Sequence, residues 1–431
     1  MTSEMILNSD FLFWIGVAII AITLLHGAVM LISSIANHRL AVKRKGLELA
    51  LLGEQVEASR IHRVAESSRI DHIWSGFRKF QILKKESEGG DIASFYLIPH
   101  DGKPIPGFRP GQYLTFRLKV PNASKAIIRC YSLSDSPQKA DSYYRVSIKR
   151  IPPPRGKPEL PPGLSSGFFH DQLNEGDILD VRAPSGNFYM DESVNTPVVL
   201  IGGGVGITPV LSMLNAICDR RSSREVWFFY GVRNHKEHIM AEHLRRIESE
   251  NDNVRLQVCY SQPTDECGEK GKDYHHGEVV SVDLFKRCLP SNNYDFYICG
   301  PPPMMTALVN DLEDWGVPED KVHFEAFGPA SVKKAAPATV EPDNTQPSRI
   351  VRFSRSNKEI EWAQGKGTLL EIAEQSGIEM DSGCRAGSCG TCMTAIKSGK
   401  VKYLDEPSAT LESGSCLPCI CVPESDVIID A

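Results

Sequence analysis

Cys384-Arg-Ala-Gly-Ser-Cys389-Gly-Thr-Cys392 sets three thiols in one short loop, and Cys416, Cys419 and Cys421 follow downstream. The spacing C-x4-C-x2-C with a distant fourth cysteine is a ligand set for a [2Fe–2S] cluster. Two irons need four thiolates, and three from one loop fix most of the geometry. Gly383, Gly387 and Gly390 suit that loop, because backbone must pass close to the inorganic sulfurs and φ > 0 is open to glycine. Backbone N–H groups there can hydrogen-bond sulfur and raise the potential. The same spacing is a poor one for a zinc ribbon, and a disulfide framework is not expected. Such a cluster carries one electron at a time, so the rest of the chain is read as what feeds it.

Working outward from this loop, residues 331–348 are Ala, Pro, Lys, Thr and Asn with few apolar groups, and read as a linker. Before them, buried-strand runs alternate with helical patterns: Pro197-Val-Val-Leu-Ile201, Val226-Trp-Phe-Phe-Tyr230, Val254-Arg-Leu-Gln-Val-Cys-Tyr260 and Phe296-Tyr-Ile-Cys299. That alternation predicts an α/β domain with a doubly wound parallel sheet over 191–330. Further upstream, Phe80-Gln-Ile-Leu, Ile92-Ala-Ser-Phe-Tyr-Leu, Tyr113-Leu-Thr-Phe-Arg-Leu, Ala126-Ile-Ile-Arg-Cys-Tyr and Tyr144-Arg-Val-Ser-Ile alternate apolar and polar positions. Turn signals such as Asp101-Gly102 and Pro110-Gly111 separate them, which predicts an antiparallel β-barrel over 76–190.

The N-terminus is different. Phe11 to Ile35 is apolar almost throughout, with His26 the one strongly polar interruption. About 20 apolar residues span a bilayer, so 1–37 is expected to be a transmembrane anchor. Residues 38–75 read as a helical stalk. His38, Arg39, Lys43, Arg44 and Lys45 follow the apolar run, which by the positive-inside rule puts the later domains in the cytoplasm. A cleaved signal peptide is disfavoured, because the first ten residues hold no Lys or Arg. The net charge of −6 gives no reason to expect nucleic acid as a partner, and twelve scattered cysteines fit a reducing compartment.

Three further motifs carry chemistry. Arg129-Cys-Tyr131-Ser132 ends a predicted barrel strand. An Arg can pair with a flavin phosphate, a Tyr ring can stack on the isoalloxazine, and a Ser hydroxyl can bond a ring nitrogen. Gly163-Leu-Ser-Ser166 follows at a helix start, where backbone N–H groups and a hydroxyl can hold pyrophosphate. Gly202-Gly203-Gly204-Val-Gly206-Ile-Thr208-Pro209 departs from G-x-G-x-x-G but sits between a buried strand and a helix, as a pyrophosphate turn does. Cys299-Gly300-Pro-Pro ends a later strand, where ligands bind in such sheets.

Together these residues resemble the ferredoxin–NADP reductase superfamily. The domain order resembles the phthalate dioxygenase reductase arrangement. The flavin and nicotinamide halves are more similar to the reductase part of flavohaemoglobins, on Pro110-Gly111-Gln-Tyr113, Arg129-x-Tyr-Ser, Pro184-Ser-Gly-Asn-Phe and His323-Phe-Glu325-Ala-Phe327-Gly-Pro. With no globin segment ahead of the barrel, nitric-oxide consumption is not carried over. The segment Leu417-Pro-Cys419-Ile-Cys421-Val-Pro423-Glu-Ser-Asp426-Val resembles the plant-type ferredoxin ending, which implies Cys419 as the fourth ligand beside Cys384, Cys389 and Cys392. Residues 349–431 are then an α+β, β-grasp ferredoxin domain.

The resemblance implies that Arg129, Tyr131 and Ser132 contact flavin, that Gly163 and Ser166 hold its phosphates, and that Phe327 lies beside the ring. It implies that Gly203, Gly204, Gly206 and Thr208 hold the nicotinamide nucleotide, with Cys299 and Gly300 near the hydride-transferring carbon. Ser132, Cys299 and Phe327 are the expected catalytic residues. FAD is expected over FMN, and NADH over NADPH. Arg233 and Lys236 are the side chains able to meet a 2′-phosphate. The implied activity carries electrons from NADH through FAD and the cluster to an oxygenase, a desaturase or a cytochrome. A membrane NADH dehydrogenase reducing quinone or a respiratory cytochrome is the alternative, and a redox sensor without turnover a third reading.

Overall fold

A computed structural model describes residues 13–35, 37–39, 42–46, 74, 76–121, 123, 126–153, 162–325, 327, 348–385, 387, 389–404, 407, 409 and 411–431. Nearly all of the expected stalk, 38–75, and of the linker, 331–348, lies outside these residues.

The N-terminal helix α1 runs Phe13–Gly46 and reaches a mean hydropathy of 2.5 over its most apolar stretch. At about 1.5 Å per residue it is longer than a bilayer is thick. Leu24, Leu25 and Ile32 are exposed on it. The Thr23 hydroxyl donates to the Ile19 carbonyl at 2.5 Å, so this polar group is satisfied within the helix.

The first sheet has six antiparallel strands: β1 (Arg78–Gly89), β2 (Ile92–Pro99), β3 (Tyr113–Leu118), β4 (Ile127–Ser132), β5 (Tyr144–Lys149) and β6 (Ile178–Ser185). Their order is β4-β3-β6-β1-β2-β5. The edge strands meet through one antiparallel bridge, Leu133 to Val146. Alternation aims Phe80, Phe95, Leu114, Phe116 and Val146 into one core, which helix α2 (Leu164–Asp171) closes with Phe169.

The second sheet is wholly parallel: β7 (Val198–Gly203), β8 (Val226–Val232), β9 (Val254–Tyr260), β10 (Asp295–Cys299) and β11 (Val322–Glu325), in the order β11-β10-β7-β8-β9. Successive residues of β7 enter opposite cores. Val198 and Leu200 pack with α3 (Ile207–Asp219) and α4 (Ala241–Glu250), while Val199 and Ile201 pack with α5 (Val282–Cys288) and α6 (Pro302–Asp314). Cover on both faces is why β7 is an unbroken apolar run.

The third unit has strands β12 (Arg349–Phe353), β13 (Lys358–Trp362), β14 (Thr394–Ser398), β15 (Val401–Tyr403), β16 (Ser415–Cys416), β17 (Cys421–Pro423) and β18 (Val427–Ile429). Its main sheet is ordered β13-β12-β18-β14-β16, and β15 pairs with β17. Helix α7 (Leu369–Gln375) starts on a capping box in which Thr368 and Glu371 bond each other's backbone N–H.

A polar seam joins the first two sheets. The Ser212 hydroxyl donates to the Asp135 carbonyl at 2.6 Å, and Asn215 Nδ2 donates to Asp135 Oδ1 at 3.3 Å. His243 Nε2 donates to Asn215 Oδ1 at 2.8 Å, while His243 Nδ1 accepts from Arg246, which fixes the neutral ring. Burial pushes both His243 and His238 down to about 4. Once unfolded, each takes up a proton near pH 6.5; folded, each waits until about 4. Stability should therefore fall as pH drops from 6.5 to 4, each ring contributing on the order of 2 kcal/mol. Thermal melts between pH 7 and 4.5 would show this, and His243→Gln should flatten the slope. An unchanged slope in that variant would exclude His243 as a source.

Candidate active site

In the parallel sheet, β8 and β9 lie on one side of β7, and β10 on the other. The strand order therefore reverses between β7 and β10, and ligands bind in such sheets outside the carboxyl ends at that reversal. Gly203 ends β7 and Cys299 ends β10, with Gly202 opposite Cys299 in register. The two turns are in contact. A Cβ on Gly206 would lie 2.3 Å from the Cys299 carbonyl oxygen, and one on Gly203 would lie 2.7 Å from Pro301. Thr208 is buried, with its hydroxyl donating to the Val205 carbonyl at 3.0 Å. Cys299 is fully buried, and desolvation, followed by the charge of Glu325, holds its thiol well above its ordinary value.

On the antiparallel sheet, Arg129 pairs with Phe116 and Tyr131 with Leu114, so both face the core side of β4. The Tyr131 ring is edge-on to Phe116 and Phe169, and burial drives its hydroxyl far above its ordinary value. Arg129 is exposed, and Ser132 is buried opposite Tyr113. At the start of α2 no side chain caps the helix. The Ser166 hydroxyl is occupied within the loop, accepting from Ile151 N and donating to the Gly163 carbonyl, both at 3.1 Å. The neighbouring Ser165 hydroxyl is buried without a partner. An orphaned hydroxyl beside open helix N–H groups fits a pyrophosphate. The sequence singled out Ser166; the free oxygen belongs to Ser165, and the doublet Ser-Ser could not distinguish them.

The cysteines fall into pairs. Cys384 N donates to Cys389 Sγ, and Cys389 N donates to Cys384 Sγ, each at 3.3 Å. Cys392 Sγ and Cys419 Sγ are 3.2 Å apart. Among the described residues no three ligating side chains converge on one ion position. Two pairs of thiols suit two irons better than one tetrahedral zinc. Cys416 and Cys421 lie elsewhere, both buried in the core of the third unit's sheet. Gly387 and Gly390 have φ of +70° and +65°, a region glycine enters freely.

Arg129, Ser132, Ser165, Thr208, Phe327, Cys384 and Cys419 all line one cavity of 2010 Å³. Phe327 is 38% exposed at its wall. The wall also holds Glu325, opposite Cys299 in register, which sequence reading gave no role. Its Oε2 is shut from solvent without a partner. Burial, with Cys384 adding a smaller push, raises the carboxyl to about 8. A carboxyl raised so far is protonated at neutral pH.

Residues 79–189 match the oxidoreductase FAD-binding domain, residues 200–310 the oxidoreductase NAD-binding domain, and residues 351–424 the 2Fe-2S iron-sulfur cluster binding domain. The flavohem-like FAD/NAD-binding domain of a nitric oxide dioxygenase from Vibrio cholerae O1 biovar El Tor is 32% identical, with a TM-score of 0.51. The match covers 100% of that chain and 59% of this one. The chain belongs to the ferredoxin–NADP reductase superfamily. A flavohemoprotein of Halalkalibacterium halodurans is 41% identical to this reductase over 266 residues, 62% of this chain and 63% of the relative. The reductase thus spans less than two thirds of that relative's length. An intact type IV self-sufficient cytochrome P450 monooxygenase shares the fold over 82% of this chain and 41% of its own, at 22% identity and TM-score 0.54. The chain carries an oxidoreductase FAD-binding domain, an oxidoreductase NAD-binding domain and a 2Fe-2S iron-sulfur cluster binding domain.

Proposed function

We propose that this reductase is a membrane-anchored, NADH-dependent enzyme that delivers single electrons to a redox partner protein such as an oxygenase, a desaturase or a cytochrome. The observation that carries this reading is the shared cavity, where flavin-side, nicotinamide-side and thiol groups face one space. The six-stranded sheet is taken as a barrel closed at Leu133, residues 76–190 as the flavin domain, 191–330 as the nicotinamide domain and 349–431 as a β-grasp ferredoxin domain.

When bound, the three groups supply hydride acceptance, its division into single electrons, and one-electron carriage. Arg129 and the open end of α2, with the Ser165 hydroxyl, are suited to the flavin phosphates. Tyr131, Ser132 and Phe327 would frame the ring. Gly203, Gly204, Gly206 and Thr208 would hold the nucleotide, with Cys299 and Gly300 packed at the hydride-transfer end. Cys384, Cys389, Cys392 and Cys419 would supply the four thiolates. Helix α1 would confine the enzyme to the plane of a membrane, with the basic residues at its C-terminal end on the cytoplasmic side.

Preference for NADH is supported by two ion pairs. Arg233 Nε donates to Glu237 Oε1 at 2.7 Å, and Lys236 lies 3.0 Å from Glu266. The second pair is exposed and weak. Glu237 is mostly buried and occupies the fork of Arg233. Glu237→Gln should release that guanidinium and shift the NADPH to NADH ratio of kcat/KM about tenfold towards NADPH. An unchanged ratio would remove Arg233 from cofactor choice.

An anaerobic titration of membrane vesicles containing the full chain tests the main reading. Addition of NADH should bleach flavin and iron–sulfur absorbance together. Turnover with soluble quinone in the absence of any partner protein would favour the dehydrogenase alternative instead.

A further inference from the structure

The turn between β1 and β2 is two residues long, Gly90-Asp91. Both have positive φ, +56° and +59°, as in the type I′ turns whose twist matches that of the strands they join. Gly89, just before the turn, also has positive φ, +82°. The two glycines differ in what surrounds them. A Cβ on Gly89 would meet open space. A Cβ on Gly90 would lie 3.2 Å from Ile239 Cγ2, 3.3 Å from the Lys236 carbonyl oxygen and 3.4 Å from Glu237 Cα. All three atoms belong to residues 233–240, which join β8 to α4 in the parallel-sheet unit. The tip of a hairpin from the antiparallel sheet thus sits against that segment. Ile92, which follows the turn, is buried in one core with Val232, Ile239 and Leu244.

The segment met by the turn has a particular place in the sheet. Beside the pyrophosphate turn of a doubly wound sheet lies the ribose 2′ position, where an acidic residue favours NAD and an Arg admits a 2′-phosphate. Residues 233–240 leave the carboxyl end of β8, the strand next to β7. Both ends of the segment are tied to β9 and its exit. The Gln262 N–H donates to the Arg233 carbonyl at 2.8 Å, and the Tyr260 hydroxyl and His238 Nδ1 are 2.9 Å apart. Between these ties, Glu237 accepts from Arg233 twice, from Nε at 2.7 Å and from the backbone N–H at 3.3 Å. The Glu237 backbone itself has a long bond from the parallel sheet, Tyr230 hydroxyl to its carbonyl at 3.4 Å. Gly90 meets the segment at this weakly held middle. A side chain at position 90 would press on main-chain atoms, so either the turn or Glu237 would have to shift. A charge-assisted hydrogen bond weakens steeply once its geometry is lost.

We infer that the Gly90-Asp91 turn is a specificity-determining stop, which seats Glu237 against Arg233 and so keeps that guanidinium away from a 2′-phosphate. The inference rests on the reading that the Arg233–Glu237 pair sets the preference for NADH. Gly90 is then a positioning residue, acting through Glu237. Nucleotide choice, exercised by the parallel-sheet unit, depends on a turn in the neighbouring sheet. Bare glycine at position 90 is what lets the two backbones approach this closely.

The test compares Gly90→Ala with Gly89→Ala in the loaded full-length protein. Both place a side chain at positive φ and carry that strain; only the first adds the contact with residues 236–239. Gly90→Ala should shift the NADPH to NADH ratio of kcat/KM about fivefold towards NADPH, through KM, with kcat for NADH kept within about twofold. Gly89→Ala should leave the ratio within about twofold of the unsubstituted chain. Gly90→Asn puts a residue that tolerates this φ at the same contact, and should shift the ratio as Gly90→Ala does; it carries the test if the alanine variant fails to fold. Calorimetric titration with 2′,5′-ADP and with ADP gives a readout that needs neither flavin nor cluster, and relative affinity for 2′,5′-ADP should rise by the same factor in both position-90 variants. Ratios in the position-90 variants equal to those in Gly89→Ala would overturn the inference. Glu237→Gln separates it from the reading beneath. A shift in that variant with none at position 90 overturns the stop alone, and no shift in Glu237→Gln overturns both.

Discussion

Cys384→Ser is expected to abolish NADH-driven cytochrome c reduction while largely sparing NADH-driven ferricyanide reduction. Cys384 and Cys389 exchange backbone N–H to sulfur bonds, so each orders the loop around the other. Removing one thiolate of four leaves an iron position incomplete, and a hydroxyl is a much poorer iron ligand than a thiolate. The flavin-side residues Arg129, Ser132 and Ser165 belong to other strands and a helix of the first sheet unit, and remain as they are. Ferricyanide can take electrons at the flavin, whereas cytochrome c reduction needs the one-electron carrier. The expected loss is on the order of 100-fold for cytochrome c and less than about threefold for ferricyanide. Parallel loss of both activities would sink the ordered path.

Gly206→Ala should be nearly as damaging, for a steric reason. The added Cβ would sit 2.3 Å from the Cys299 carbonyl oxygen, 2.5 Å from its carbonyl carbon and 2.7 Å from Gly300 Cα. All three are backbone atoms, which cannot rotate aside. The turn after β7 must then move away from the turn after β10, widening the crevice at the strand-order reversal. Overpacking of this kind costs about 1–3 kcal/mol, and a displacement of about 1 Å at a reacting centre costs about 100-fold in rate. The variant should melt lower and reduce flavin with NADH at least tenfold more slowly, about 1.4 kcal/mol in barrier. Gly204→Ala is the contrast. Gly204 has φ +54° but open space around its would-be Cβ, so it should lose only about 1 kcal/mol of local strain. If stopped-flow reduction shows Gly204→Ala to be the slower of the two, the close-approach argument fails.

How much of this was legible in the sequence follows from where the information sits. The thiol spacing, the apolar run of β7 and the turn glycines are local signals, and local chemistry sets them. Cys419 could be separated from Cys416 and Cys421 only by likeness; in space, Cys419 meets Cys392 while the other two lie in the sheet core. Ser165 was missed because orientation at a helix start depends on the loop it closes, not on residue type. Glu325 gave no sign of its raised carboxyl, since its burial, and the nearness of Cys384, are properties of the folded chain. The Arg233–Glu237 pair is four residues apart and could have been read; the Lys236–Glu266 pair could not. Arg182 carried no signal in the sequence, and only the fold brings its guanidinium to the Cys389 carbonyl.

Asp135 belongs to the antiparallel sheet unit, yet Ser212 and Asn215 on α3 hold it directly and His243 on α4 holds it through Asn215. The flavin and nicotinamide modules therefore travel as a single cassette. A chimera builder who cuts between them would leave the half-buried Asp135 without Ser212 and Asn215. Exchange of the iron-binding module for one of another pedigree should leave residues 76–325 whole, with Arg182 offering the incoming loop the same donor it gives the Cys389 carbonyl.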